Sequence, residues 1–254
     1  MNLKKGRFYL MEEARRFLRY VIPGLVFLIE TTLYLSLSVN GGFLQSLKDL
    51  GKDLGFALSL FLASGGLGFL LGVVYHSLYW TTGFCKLVVT HLPLVKDCIE
   101  RGWLKLQKRE DGSELDVNVL TQSGAWRIVT AFWHARKESS QRIKASNSRM
   151  DSLTDIMHGL GTTFIGSILA IFVWIFIHRK LLGQFPYIEY YIIPLLISYI
   201  HFVNWRRVIE HFQSVVAIIV CDELQEIYIK NETPVVMNVT PIDYKYSHIP
   251  FPKT

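Results

Sequence analysis

The chain has 254 residues, half of them hydrophobic and 19% charged, with a formal net charge of +6 and a mean hydropathy of +0.27. A soluble domain of this length carries about 25% charged residues. Here the shortfall is concentrated in long stretches almost free of charge, which excludes a disordered chain, a fibrous repeat, a small disulfide scaffold and an ordinary cytosolic enzyme.

A helix needs roughly 20 apolar residues to cross the hydrocarbon core. Four segments approach that length, at about 17–39, 55–79, 156–177 and 186–203. The first follows six basic residues (Lys4, Lys5, Arg7, Arg15, Arg16, Arg19), and its apolar run is longer than a signal-peptide core, so no cleavage is expected. Lys48 and Lys52 lie between the first two segments, and twelve Lys or Arg lie between the second and third. Arg179 and Lys180 separate the third from the fourth, and five more basic residues follow. The positive-inside rule then places both termini and the long middle segment in the cytoplasm of an inner-membrane protein. Cys85, Cys98 and Cys221 all fall on that reducing side, so no structural disulfide is expected. The sequons at Asn231 and Asn238 face the cytoplasm as well, where glycosylation is not expected. Juxtamembrane cations beside anionic lipid account for the net charge without a nucleic acid.

In the first segment Glu30 stands mid-span, followed by Thr31, Thr32, Tyr34 and Ser36 as a polar stripe. A carboxylate at that depth costs on the order of 3 kcal/mol, so it faces a bundle interior or a water-filled path. One reading has Glu30 protonated and bonded to a neighbouring helix, at Ser59 or Ser64. The other makes Glu30, Thr31 and Tyr34 the lining of a pore in an oligomer. Pro23-Gly24 is placed to kink the same helix. In the second segment Ser64, Gly68 and Gly72 share a face, and Thr162, Gly166 and Ala170 do so in the third. Small residues four apart let helix backbones approach closely, within one subunit or between subunits. Tyr187 and Tyr190 form an interfacial belt, with His158, His201, Asn204 and Trp205 at the opposite boundary.

The stretch 81–155 is too long for a bare connector. Alternation from Trp103, an Asp111-Gly112 turn, and renewed alternation through Leu115, Val117 and Val119 predict a β-hairpin at 103–120. Residues 235–239 offer a third strand to it. A helix is expected from about Gly124 to Ser146, and another over 205–230 after the fourth span. The expected organisation is therefore an all-α integral membrane protein: four transmembrane helices, divided 1–80, 81–155, 156–204 and 205–254, with a cytoplasmic helical module carrying a small β-hairpin.

The run from Leu94 to Leu104, the Asp111-Gly112 hairpin and Leu120-Thr121-Gln122-Ser123-Gly124 together resemble part of a winged-helix domain. The resemblance covers roughly 94–135, and too few residues precede Leu94 for the family's two earlier helices. It implies a partner-binding wing carrying Lys105, Lys108 and Arg109. A protein partner is favoured over DNA, because the corresponding recognition helix has only Lys96 and Arg101 as cations.

No phosphate-binding loop, zinc-ligand pairing or nucleophile elbow is present, and no cofactor is expected. Arg206-x4-His211 resembles the Arg-x4-6-His motif of HEPN ribonucleases. That resemblance implies RNA cleavage by paired subunits, or a role in antiviral defence; a membrane anchor is the competing reading of Arg206. Together these features predict a homo-oligomeric channel or membrane-perturbing effector, gated by its cytoplasmic part. A membrane-anchored scaffold recruiting a soluble partner and a tethered ribonuclease are the rivals.

Overall fold

The structure, a computed structural model, describes residues 17–38, 54–81 and 91–244. Lys4, Lys5, Arg7, Arg15 and Arg16, with Lys48, Lys52 and Cys85, lie outside the described residues. Among those described, a π-helical turn (Phe17–Val21) leads into α1 (Ile22–Ser38), and α2 follows (Leu54–Thr81). Then come α3 (Leu92–Glu100), β1 (Leu104–Lys108), α4 (Gln122–Arg136), α5 (Gln141–Leu182), α6 (Ile192–Asn231), β2 (Val235–Val239) and the short α7 (Pro241–Tyr244). The chain divides into two compact units, Met1–Phe84 with Ser152–Val208, and Cys85–Asp151 with Ile209–Thr254.

In the first unit, three helices are long and apolar enough to cross a membrane: the segment Arg19–Leu37, the segment Leu58–Tyr79 and helix α5. Contacts set their directions. Gly24 meets Ser64 and Gly68, while Tyr20 meets Gly68 and Gly72, so α1 and α2 run antiparallel. Trp174 pairs with Tyr191, Ser167 with Ser198, and Phe164 with Phe202 and Trp205, so α5 and the first half of α6 are antiparallel too. Tyr34 reaches Trp174 and Phe27 approaches Gly166, which makes α1 parallel to α5.

The burial pattern of this unit inverts that of a water-soluble bundle. Glu30, Ser64, Thr162, Thr163, Ser167 and Ser198 are buried, whereas Ile29, Leu62, Phe69, Leu70, Phe172, Phe176, Leu195 and Leu196 are exposed. An exposed apolar surface of this extent suits lipid or a partner rather than water.

The predicted fourth span, 186–203, is only partly α-helical. Residues Ile188–Tyr191 form a 3-10 turn and α6 begins at Ile192. Twelve helical residues then precede Asn204, a rise of about 18 Å against the roughly 30 Å of a hydrocarbon core. The helix expected over 205–230 is not separate, because α6 continues unbroken to Asn231.

The second unit departs from expectation in two places. Instead of a hairpin at 103–120, β1 pairs in parallel with β2, Leu104 opposite Val235 and Lys108 opposite Val239. The return arm keeps Gly112 N to Lys108 O, Lys108 N to Ser113 O, Leu115 N to Leu106 O and an isolated bridge at Glu114. Asp116 explains why it goes no further. Its carboxylate accepts from Asn118 N and caps a 3-10 turn at Val117–Val119, a local bond that competes with the ladder.

The helix expected from Gly124 to Ser146 is likewise two helices, α4 and α5. Ser140 interrupts it: its Oγ accepts from Ile143 N at the new N-terminus and donates to Glu223. Thr121, from the Leu-Thr-x-x-Gly turn, caps α4 by accepting from Gly124 N. Gly102, at φ +72°, ends α3 in a conformation that favours glycine, with Trp103 N bonded back to Cys98 O.

A Cβ on Gly68 would run into the Tyr20 carbonyl, and one on Gly24 into the Ser64 carbonyl. Gly66 faces open space. Gly68→Ala should therefore destabilise the detergent-solubilised protein by about 1–3 kcal/mol, while Gly66→Ala leaves its melting temperature unchanged or higher. Equal melting of the two variants would contradict the close crossing.

Candidate functional site

Among the described residues of the first unit, the buried carboxylate is Glu30, where the polar stripe of α1 meets α6. Glu30 and Tyr34 lie one helical turn apart, and the Tyr34 hydroxyl donates to Glu30 Oε2 at 3.2 Å. His201 of α6 meets Glu30 Oε1 at 2.8 Å. Beside them the Ser167 and Ser198 hydroxyls are 2.8 Å apart, and Tyr34 packs edge-on to Trp174. Glu30 is 4% exposed and Tyr34 fully buried.

A carboxylate and an imidazole share one proton with no net charge in either arrangement, as carboxylate with imidazolium or as acid with neutral ring. That neutrality makes the pair tolerable where an isolated charge is not. Neither Ser59 nor Ser64 serves Glu30. Ser59 is exposed, and Ser64 donates to the Phe61 carbonyl within its own helix. Thr31 Oγ1 is buried with no hydrogen-bond partner.

The small-residue faces serve packing inside the chain. Gly68 lies on the Tyr20 backbone, Gly72 beside Thr162 and the Tyr20 ring, and Gly166 against Leu71 and Phe27. Thr162 donates to the His158 carbonyl within its own helix, and Ala170 is buried with Tyr34, Leu35, Ile171 and Trp174.

A second polar group, not singled out from the sequence, surrounds Arg19. Its guanidinium lies 3.1 Å from His76 Nε2 and 3.7 Å from Asp155. The His76 and His158 rings are 4.6 Å apart, and Tyr75 stands edge-on to His158 and Trp205. The signal available was a Tyr-His pair inside an otherwise apolar helix, facing an arginine at the start of another.

In the second unit Lys105 and Arg109 are exposed and Lys108 is half-buried, all three on or beside β1. Arg206 and His211 are both exposed and lie on α6 five positions apart.

The buried ionic centre here is Glu223, which accepts from Arg136 Nε and Nη2 through Oε1 and from Ser140 through Oε2 at 2.6 Å. It borders a recess of about 620 Å³ that Arg142, Glu226 and Lys230 also line. Asp243 clamps the C-terminal end. Its carboxylate bonds Arg127 and Thr240, and its carbonyl accepts from Thr121 N and Oγ1.

His91 stacks on Trp126 with its ring centroid 4.8 Å away, and its Nε2 is buried without a partner. Burial pushes this imidazole down to about 4. Among the described residues no three His, Cys, Asp or Glu side chains converge to hold a metal ion.

No protein-family model, curated protein or solved structure matches the chain.

Two outcomes are expected of the second unit. The unfolded chain binds a proton at His91 below about pH 6.5, whereas the folded one waits until about pH 4. Stability is thus fully present above pH 6.5 and falls as the pH drops through that window, by up to about 3 kcal/mol. Denaturation of wild type and His91→Gln across pH 4–7 should show a shallower slope in the variant; identical slopes would refute the assignment. Glu223→Ala, which strips Arg136 and Ser140 of their acceptor, should cost about 1–3 kcal/mol by the same measurement.

Proposed function

We propose that the chain is a multi-pass inner-membrane protein whose membrane unit conducts ions or protons under the control of its cytoplasmic part. The observation that carries this reading is the buried Glu30–His201 pair. Ionisable side chains inside a membrane unit are costly, and they are retained chiefly where charge moves or is sensed.

Four spans are proposed, the fourth being the first half of α6. It packs antiparallel to α5 within the same unit and exposes Ile192, Leu195, Leu196 and Tyr199 as the other three expose their apolar faces. With four crossings, 23 of the 27 basic residues fall on one side and four on the other, which suits cytoplasmic termini.

The conducting element is placed inside each subunit, along Glu30, Tyr34, His201 and the Ser167–Ser198 pair. Both Glu30 carboxylate oxygens are engaged within one chain, which supports a path inside the subunit over the alternative of a central path between subunits. A homo-oligomer is compatible with this reading and is not required by it. An antiviral role for such an effector rests on the resemblance at Arg206 and His211 alone.

The test is flux of protons and of small cations into dye-loaded liposomes carrying the full-length protein, at several pH values. Wild type should conduct, and Glu30→Gln should change the flux by at least about tenfold, equivalent to about 1.4 kcal/mol on the barrier. His201→Gln should do the same while both variants keep their helical circular dichroism. Equal flux in all three, or none in wild type at any pH, rejects the reading in favour of a membrane-anchored scaffold.

A further inference from the structure

Cys98 and Cys221 lie 123 positions apart in the sequence and face each other in the second unit, with their sulfurs 3.7 Å apart. Both are free thiols. Cys98 sits in the last turn of α3 and is 1% exposed, whereas Cys221, on α6, is only half-buried. We propose that this pair is a modification site for hydroperoxides: Cys221 is the peroxide-reactive thiol, Cys98 its resolving partner, and oxidation ties α3 covalently to α6.

The roles follow from the asymmetry. The contact between the two sulfurs holds the Cys221 thiol below its ordinary range and, with burial, pushes Cys98 above its own. Thiolate therefore accumulates on the sulfur that solvent can reach, the condition for oxidation by a small peroxide. Metal binding is the obvious rival for two facing cysteines. It lacks a third ligand among the described residues.

The chemistry balances with hydrogen peroxide as the oxidant. The Cys221 thiolate attacks one peroxide oxygen, the O–O bond breaks, and Cys221 becomes a sulfenic acid as hydroxide leaves and is protonated to water. The Cys98 sulfur then gives up its proton, attacks Cys221 Sγ and displaces the sulfenic oxygen as a second water. Two thiols are oxidised by two electrons and one peroxide is reduced to two waters. The sulfurs must close from 3.7 Å to about 2.0 Å.

The experiment uses the full-length protein in detergent on a Cys85→Ser background, titrated with hydrogen peroxide. Maleimide-polymer labelling counts free thiols, and peptide mass mapping locates any link. Both thiols should be lost together, a Cys98–Cys221 peptide lighter by two hydrogens should appear, and dithiothreitol should reverse the change. Cys98→Ser should form no link and should instead trap dimedone on Cys221. Cys221→Ser should leave Cys98 free, oxidising about tenfold more slowly. The proposal is overturned if both thiols persist at a dose that oxidises glutathione. It is equally overturned if dimedone adds to Cys98 in the Cys221→Ser protein as fast as to Cys221 in the other. Circular dichroism melts of the two serine variants confirm that each reading comes from folded protein.

Discussion

Where α1 crosses α2, the backbones touch with no side chain between them. Gly24 lies on the Ser64 carbonyl and Gly68 on the Tyr20 carbonyl, a distance that no residue with a Cβ allows. Dispersion between bare backbones holds such a crossing together. Much else in the unit follows from that crossing. It carries Arg19 to His76 and sets Leu71 of α2 and Phe27 of α1 against Gly166 of α5. With α5 so placed, Trp174 stands against Tyr34 and Ser167 against Ser198 of α6, and His201 comes within bonding distance of Glu30.

The two units solve one problem in different ways. Each buries a carboxylate on a helix and satisfies both of its oxygens. Glu30 meets a tyrosine and a histidine, groups that can leave the pair neutral. Glu223 meets an arginine, always charged, whose side chain stays about one-third exposed. The choice of partner matches the surroundings: a fixed cation is affordable beside water, and a titratable one is better suited to an apolar interior.

What the sequence could disclose depended on how local the cause was. Apolar length marked the first three long helices, and the four-residue spacing of Ser64, Gly68 and Gly72 marked a real packing face, because both signals lie within one helix. The Thr121 cap and the glycine stop after α3 were legible for the same reason. Several misreadings have distant partners. Residues 103–120 alternate like a hairpin with 235–239 as a third strand, yet the ladder formed is the one to 235–239, while the local cap at Asp116 cut the return arm short. Ser140 reads as an ordinary helix position until Glu223 is seen to hold its hydroxyl. Glu30 was legible as a site, whereas His201 looked like a boundary marker, since nothing in its own neighbourhood points at α1.

The parallel pairing of β1 with β2 has a bearing on how the molecule is made. A strand that needs a partner 131 positions downstream cannot close while the chain is still leaving the ribosome. At 5–20 residues per second, roughly 7 to 26 seconds separate the emergence of Leu104 from that of Val235. Throughout that interval β1 has an open edge and α4 has yet to receive the cap-bracing carbonyl of Asp243. Meanwhile the apolar helices emerge and can pack on their glycines. The order of synthesis thus favours the first unit being formed before the second is locked, so nascent chains spend their vulnerable period with only the module's early half exposed to chaperones and proteases.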